Sequence, residues 1–182
     1  HTQNSLDPYF TNFTSSTEVM IMDDVACVNP QSGKEDTSLD GVLNVLSSMN
    51  YNPNMAALED KGSVSVNANM LIAITNTKHL NVRQWFSNPV AVLRRFKIIL
   101  TCEPKPEFSL YEKNSDRIKT LDMNKVKAFK IANPLAHMDF CEYKLEAVVM
   151  KSTIAVEYTR LHEAPFITGA EAYKILRDAL KA

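Results

Sequence analysis

The chain has 182 residues, 45% of them hydrophobic, and a formal net charge of -1. That length suits one domain with a substantial core, and near-neutrality excludes a protein coated in basic charge, so any nucleic-acid contact must come from a local patch. No apolar run approaches the roughly 18 residues needed to cross a bilayer.

The chain begins with His rather than Met and without a signal-peptide pattern, so its start reads as a cut. Cys27, Cys102 and Cys141 stand far apart, with no CxxC and no His at ligand spacing. They read as reduced core thiols, and no zinc is expected.

In chain order, Glu18 to Met22 reads as a short buried strand that delivers two adjacent acids, Asp23 and Asp24. Asn29 to Gly33 is loop chemistry. Leu39, Val42, Leu43, Leu46 and Met49 recur at near-helical spacing, with Ser38 or Thr37 as cap and Asn50 to Asn54 as the stop. Val64 and Val66 alternate with polar residues like one arm of a hairpin. Met70 to Ile74 is continuously apolar, as in a strand covered on both faces, and ends at Thr75-Asn76.

Asn88-Pro89 opens a short helix carrying Arg94 and Arg95 into a strand from Phe96 to Thr101. Lys144 to Val156 fits either strands or a helix, and Thr168 caps a final helix ending near Leu180. Trp85 and Phe86 read as core residues, although both ring types also stack on bases. His79 reads as a surface loop residue.

Asp23 and Asp24 follow a strand, where open α/β sheets gather ligands. One carboxylate there can hold Mg2+ through water while the other orients or deprotonates an attacking water. A bare acid pair also serves simply to cap a turn. Asn76 can likewise hold a water near a phosphate or merely form a turn, and Arg94 and Arg95 can reach a neighbouring subunit's nucleotide or form a solvated face. Order raises the chemical reading: acid pair, then strand and Asn, then Arg pair.

In that order the strings Ile21-Met-Asp-Asp24, Asn54-Met-Ala-Ala-Leu-Glu-Asp-Lys-Gly62, Ile72-Ala-Ile-Thr-Asn76 and Val92-Leu-Arg-Arg-Phe96 resemble the superfamily 3 helicase, a nonstructural protein of picorna-like positive-strand RNA viruses. They look like its Walker B, the segment before motif C, motif C and the arginine-finger helix. Leu6-Asp-Pro-Tyr-Phe10 is similar to the aspartate-aromatic stretch ahead of Walker B.

The resemblance implies an AAA+-like P-loop ATPase core over residues 1–108, α/β in class and incomplete at its N-terminus, with a mixed extension over 109–182. It further implies ATP and Mg2+ as cofactors, with Asp23 on the metal, Asp24 with the water, Asn76 as sensor, and Arg94 and Arg95 acting in trans. The partners implied are single-stranded RNA, sibling subunits of a hexameric ring and other viral replication proteins. The site of action implied is the host cytoplasm, at membrane-associated replication complexes reached through regions outside this chain.

The departure from the family pattern is the phosphate loop, which needs Gly, four residues, then Gly-Lys-Ser/Thr. The only Gly-Lys is Gly33-Lys34; Glu35 follows it, position 28 is Val, and it lies after the acid pair. The sequence therefore reads as a partial domain lacking Walker A. The alternative is a non-catalytic AAA+-like module that binds RNA or protein.

Charge distribution adds a hint about nucleic acid. Between Lys61 and Cys102 there is no Asp or Glu, while Lys61, Lys78, Arg83, Arg94, Arg95 and Lys97 are basic. Lys61 is the candidate for RNA contact, unless Glu59 or Asp60 pairs with it.

Overall fold

In the computed structural model, residues 1–4, 7–47, 49–77, 79–110, 120–134, 139–179 and 181 are described. Leu6, Lys78 and Leu180 lie outside them. The chain is mixed α/β with small sheets and divides into two compact units, His1–Arg95 and Phe96–Ala182.

The first unit is built on strands β1 (Thr2–Asn4) and β2 (Val19–Asp23), helix α1 (Thr37–Val45), strand β3 (Met70–Ala73) and two short helices, α2 (Val82–Trp85) and α3 (Pro89–Leu93). The three strands form a parallel sheet in the order β1-β2-β3, with Ile21 opposite both Thr2 and Ile72. Met20 and Met22 on one face of β2 are buried. α1 lies so close to that face that a Cβ on Gly41 would stand 3.1 Å from the Met22 methyl.

The opposite face is partly exposed, with Ile21 and Met70 half-buried on it. Val19, Ile72 and Ile74 are 41%, 37% and 50% exposed, and β3 is an edge strand. One face of the continuous apolar run at 70–74 is therefore only partly covered among the described residues.

α1 is capped by Asp36 rather than by Thr37 or Ser38. The Asp36 carboxylate accepts the Ser38 N–H at 3.1 Å, and the Ser38 hydroxyl accepts the Ala26 N–H at 2.9 Å. The helix stops at Val45, short of Met49, which is 79% exposed. Val64 to Val66 forms no strand. Asn88 caps α3 by accepting the Ala91 N–H, and Pro89 takes the first helical position, where its missing N–H costs nothing.

The second unit contains β4 (Ile98–Pro104), the two-residue strands β5 (Ser109–Leu110) and β6 (Thr120–Leu121), α4 (Met123–Ala132), β7 (Cys141–Ser152), β8 (Ala155–Arg160) and α5 (Gly169–Ala179). The strand expected from Phe96 begins at Ile98 and runs to Pro104. β7 is central to an antiparallel sheet ordered β4-β7-β8, which resolves the ambiguity of 144–156 in favour of strands.

Phe108, Phe129 and Phe140 meet edge to face, with centroids 5.0 to 5.8 Å apart. Thr168 and Glu171 close a reciprocal cap at the start of α5. The Glu171 carboxylate accepts the Thr168 N–H at 2.9 Å, and the Thr168 hydroxyl oxygen accepts the Glu171 N–H at 3.3 Å. No described helix is long and apolar enough to cross a membrane.

Candidate nucleotide and RNA site

Parallel pairing of β2 with β3 puts the ends of the two strands side by side. Met22 lies opposite Ala73, the Ile74 N–H donates to the Met22 carbonyl at 2.8 Å, and the Val25 N–H donates to the Ile74 carbonyl at 2.9 Å. Asp23, Asp24 and Asn76 thus emerge at the carboxyl ends of neighbouring strands, all three exposed.

The turn after β2 is sharp. Asp24 and Ala26 adopt left-handed backbone, φ 55° and 59°, a region that L-residues enter at a cost and Asp tolerates better than most. One oxygen of Asp23 accepts the Asp24 N–H at 3.1 Å. The Asp24 carboxylate makes no hydrogen bond or ion pair among the described residues.

The far side of this turn is pinned to α1. Besides the Ala26 to Ser38 bond, the Val28 N–H donates to the second Asp36 oxygen at 3.1 Å. Asp36 is 7% exposed, so it braces the acid turn from within. Sequence reasoning missed this role, although Asp-Thr-Ser ahead of an apolar-periodic segment is a recognisable capping signal. Cys27 sits on the same turn. Desolvation raises its thiol pKa, and the carboxylates of Asp36 and Asp24 raise it further.

The oxygens present suit a hard cation. No group of three or more His, Cys, Asp or Glu side chains arranged to hold a metal occurs among the described residues. Mg2+ in particular is commonly held by one or two carboxylates, with waters and substrate phosphates completing its shell.

Beside the turn, Ala26, Cys27, Asn29, Gln31, Thr77 and Gln84 line part of a cavity of about 330 Å³. Among the described residues its lining contains no carboxylate and no lysine or arginine.

Lys61 stands on an exposed turn after a 3-10 segment, Leu58–Asp60, next to Gly62 in left-handed backbone at φ 76°. Lys61 forms no ion pair with Glu59 or Asp60. Leu58, beside it, is 84% exposed.

Arg94 and Arg95 follow α3 and are exposed. The Arg95 guanidinium donates back to the Ala91 carbonyl of its own helix, while Arg94 has no partner among the described residues. No hydrogen bond or ion pair joins either arginine to Asp23, Asp24 or Asn76. Trp85 and Phe86 are half-buried, and the Trp85 indole N–H is enclosed without a partner among the described residues. His79 is exposed, as expected.

Cysteine placement departs from expectation. Cys27 and Cys102 are exposed and Cys141 is half-buried, so the thiols are free but not core groups. Their positions at a turn and on an open sheet outweigh the general tendency of cysteine toward burial.

Residues 1–77 match the family described as RNA helicase. The match supports an RNA helicase-type domain. It spans Asp23, Asp24, Lys61 and Asn76 and ends before Arg94. No curated protein matches the chain.

Proposed function

We propose that the chain is part of a superfamily 3 helicase of a picorna-like RNA virus, an ATPase that couples ATP hydrolysis to movement along, or remodelling of, single-stranded RNA during viral replication. The observation that carries this reading is the adjacency of Asp23 and Asp24 to Asn76 across two parallel strands, inside a segment of RNA helicase type.

In this reading ATP and Mg2+ supply the phosphoryl group and the charge that neutralises it. Asp23 would hold the metal, which would neutralise phosphate charge, while Asp24 would orient or deprotonate the attacking water and Asn76 would position that water from the neighbouring strand. Arg94 or Arg95 reaches a nucleotide held by the next subunit of a hexameric ring. Lys61 touches the RNA backbone.

The phosphate cradle is assigned to chain beyond these residues. Two features favour this over a non-catalytic module. The outer edge of β3 is free among the described residues to pair with a further strand. The apolar face carrying Val19, Ile72 and Ile74 is only partly covered among the described residues, whereas parallel sheets are stable when both faces are packed. The other replication proteins and the membrane-associated site of action in the host cytoplasm belong to the same proposal.

The test is hydrolysis by the domain completed with a phosphate-binding loop, wild type against Asp24→Asn. Mg2+-dependent turnover that the substitution removes while ATP still binds supports the assignment. Unchanged turnover in the variant returns Asp24 to a turn-capping role. The 182 residues alone should show no hydrolysis above a blank.

A further inference from the structure

The second unit carries a pair of cysteines that the helicase reading does not use. In the β4–β7 register Cys102 lies opposite Tyr143, and Pro104 lies opposite Cys141. Residues two apart on a strand share a face, so Cys102 and Cys141 are diagonal neighbours on one side of the sheet. Cys102 is exposed and Cys141 half-buried, and therefore a small solute has access to the pair.

The surroundings are polar and specific. The Cys141 thiol and the Tyr143 hydroxyl both act on the Cys102 thiol as near neighbours. Asp139 accepts from the Tyr143 hydroxyl at 3.3 Å, the Cys141 N–H at 3.1 Å and the Gly169 N–H at 3.3 Å. These bonds hold the start of β7, with Cys141, against the start of α5.

We propose that Cys102 and Cys141 form a reversible oxidation site, at which a peroxide converts the two thiols to a disulfide that staples β4 to β7. One sulfur, as thiolate, attacks the peroxide O–O bond and becomes a sulfenic acid, and the leaving hydroxide is protonated to water. The second thiol then attacks the sulfenic sulfur; the S–S bond forms as the S–O bond breaks, and a second water leaves. Two electrons pass from the sulfurs to the peroxide.

Diagonal partners stand roughly 7–8 Å apart at Cα, beyond the roughly 6.8 Å usual for a disulfide, so closure requires the two strands to shift toward each other. Closure therefore strains the strands, and a strained exposed disulfide is readily reduced. The site is a switchable staple rather than a permanent one.

The experiment treats the 182-residue protein with hydrogen peroxide and maps its cysteines by peptide mass spectrometry without reduction. The expected product is a Cys102–Cys141 linked peptide within monomeric protein, with Cys27 still open to alkylation and the linkage reversed by dithiothreitol. Cys27→Ser should form the same link. Cys102→Ser, checked for an unchanged circular dichroism spectrum, should leave Cys141 without an intramolecular partner. The proposal is overturned if Cys102 and Cys141 remain reduced at doses that oxidise Cys27, if they reach sulfinic acids without linking, or if linkages to Cys27 or between molecules predominate.

Discussion

The N–H of Val25 donates to the carbonyl of Ile74 at 2.9 Å, so the turn that carries Asp24 is fastened to the strand two residues before Asn76. Acid and amide are thereby held on a common backbone frame rather than on independent loops. A change that loosens the turn should displace both.

Asp24 separates chemistry from conformation. Asn tolerates left-handed backbone nearly as well as Asp, whereas a β-branched residue there costs roughly 1–2 kcal/mol. Asp24→Asn should leave the melting temperature of the chain almost unchanged. Asp24→Val should lower it by several degrees. Calorimetry on both variants checks this, and equal melting temperatures would mean that the φ of 55° carries no strain.

His162 should be structural in the second unit. Its Nε2 accepts the N–H of fully buried Leu145 at 3.1 Å, and its Nδ1 lies 2.6 Å from the Ala164 carbonyl. That pairing selects the neutral tautomer protonated on Nδ1. His162→Phe strands a buried backbone donor on the central strand, and stability should drop by about 1–3 kcal/mol, read from urea denaturation. A loss within error would show that water or another group satisfies Leu145.

Alkali should act on the sheet through Cys102. Its pKa is raised from 9.0 to about 11, first by local desolvation of the thiol although the residue as a whole is exposed, then by the neighbouring thiol of Cys141 and the carboxylate of Asp139, with the Tyr143 hydroxyl pulling it down. The unfolded chain therefore loses this proton first. The contribution to stability is fully present below the ordinary thiol pKa and is lost as pH climbs through the window from 9 to 11. Urea midpoints should fall across that window, and Cys102→Ser should flatten the fall. An identical profile in the variant would assign the alkaline loss to other groups, including Tyr143, whose pKa is raised to about 12.

Much of the first unit was legible because its signals are local. Strand β2 with its acids, strand β3 ending before Asn76, and the Asn88-Pro89 helix start each depend on a few adjacent residues. The errors came partly where distant packing decides. Asp36 caps α1 by accepting the Ser38 N–H, a local signal that the sequence offers, while the tie of the Ser38 hydroxyl to Ala26 is a longer-range contact that no window around the helix contains. The 70–74 run looked doubly covered because apolarity records what a strand needs, not which faces are covered within these residues. In the second unit, α4 carries Met123, Val126 and Phe129 at helical spacing behind an Asp122 cap, a signal that the sequence reading left unused, although the helix buries only Val126 fully. The diagonal pairing of Cys102 with Cys141 depends on a register that spacing alone does not carry.

The two arginines after α3 should prove unequal. Arg95 spends guanidinium hydrogen bonding on the Ala91 carbonyl of its own helix, which ties it to the last turn. Arg94 is exposed with no partner among the described residues, and its planar fork of donors is therefore free to meet phosphoryl oxygens. In the completed, assembled domain Arg94→Ala should lower hydrolysis by about 10³- to 10⁵-fold, the range expected for a finger. Arg95→Ala should cost far less. Mixing assemblies of Asp24→Asn with assemblies of Arg94→Ala should restore turnover, because mixed rings place an intact acid against an intact arginine. Recovery with Arg94→Ala but not with an inactive Arg95→Ala would confirm the assignment to Arg94. If mixed rings form and stay silent, neither arginine acts across the interface, and the pair is then structural or faces RNA.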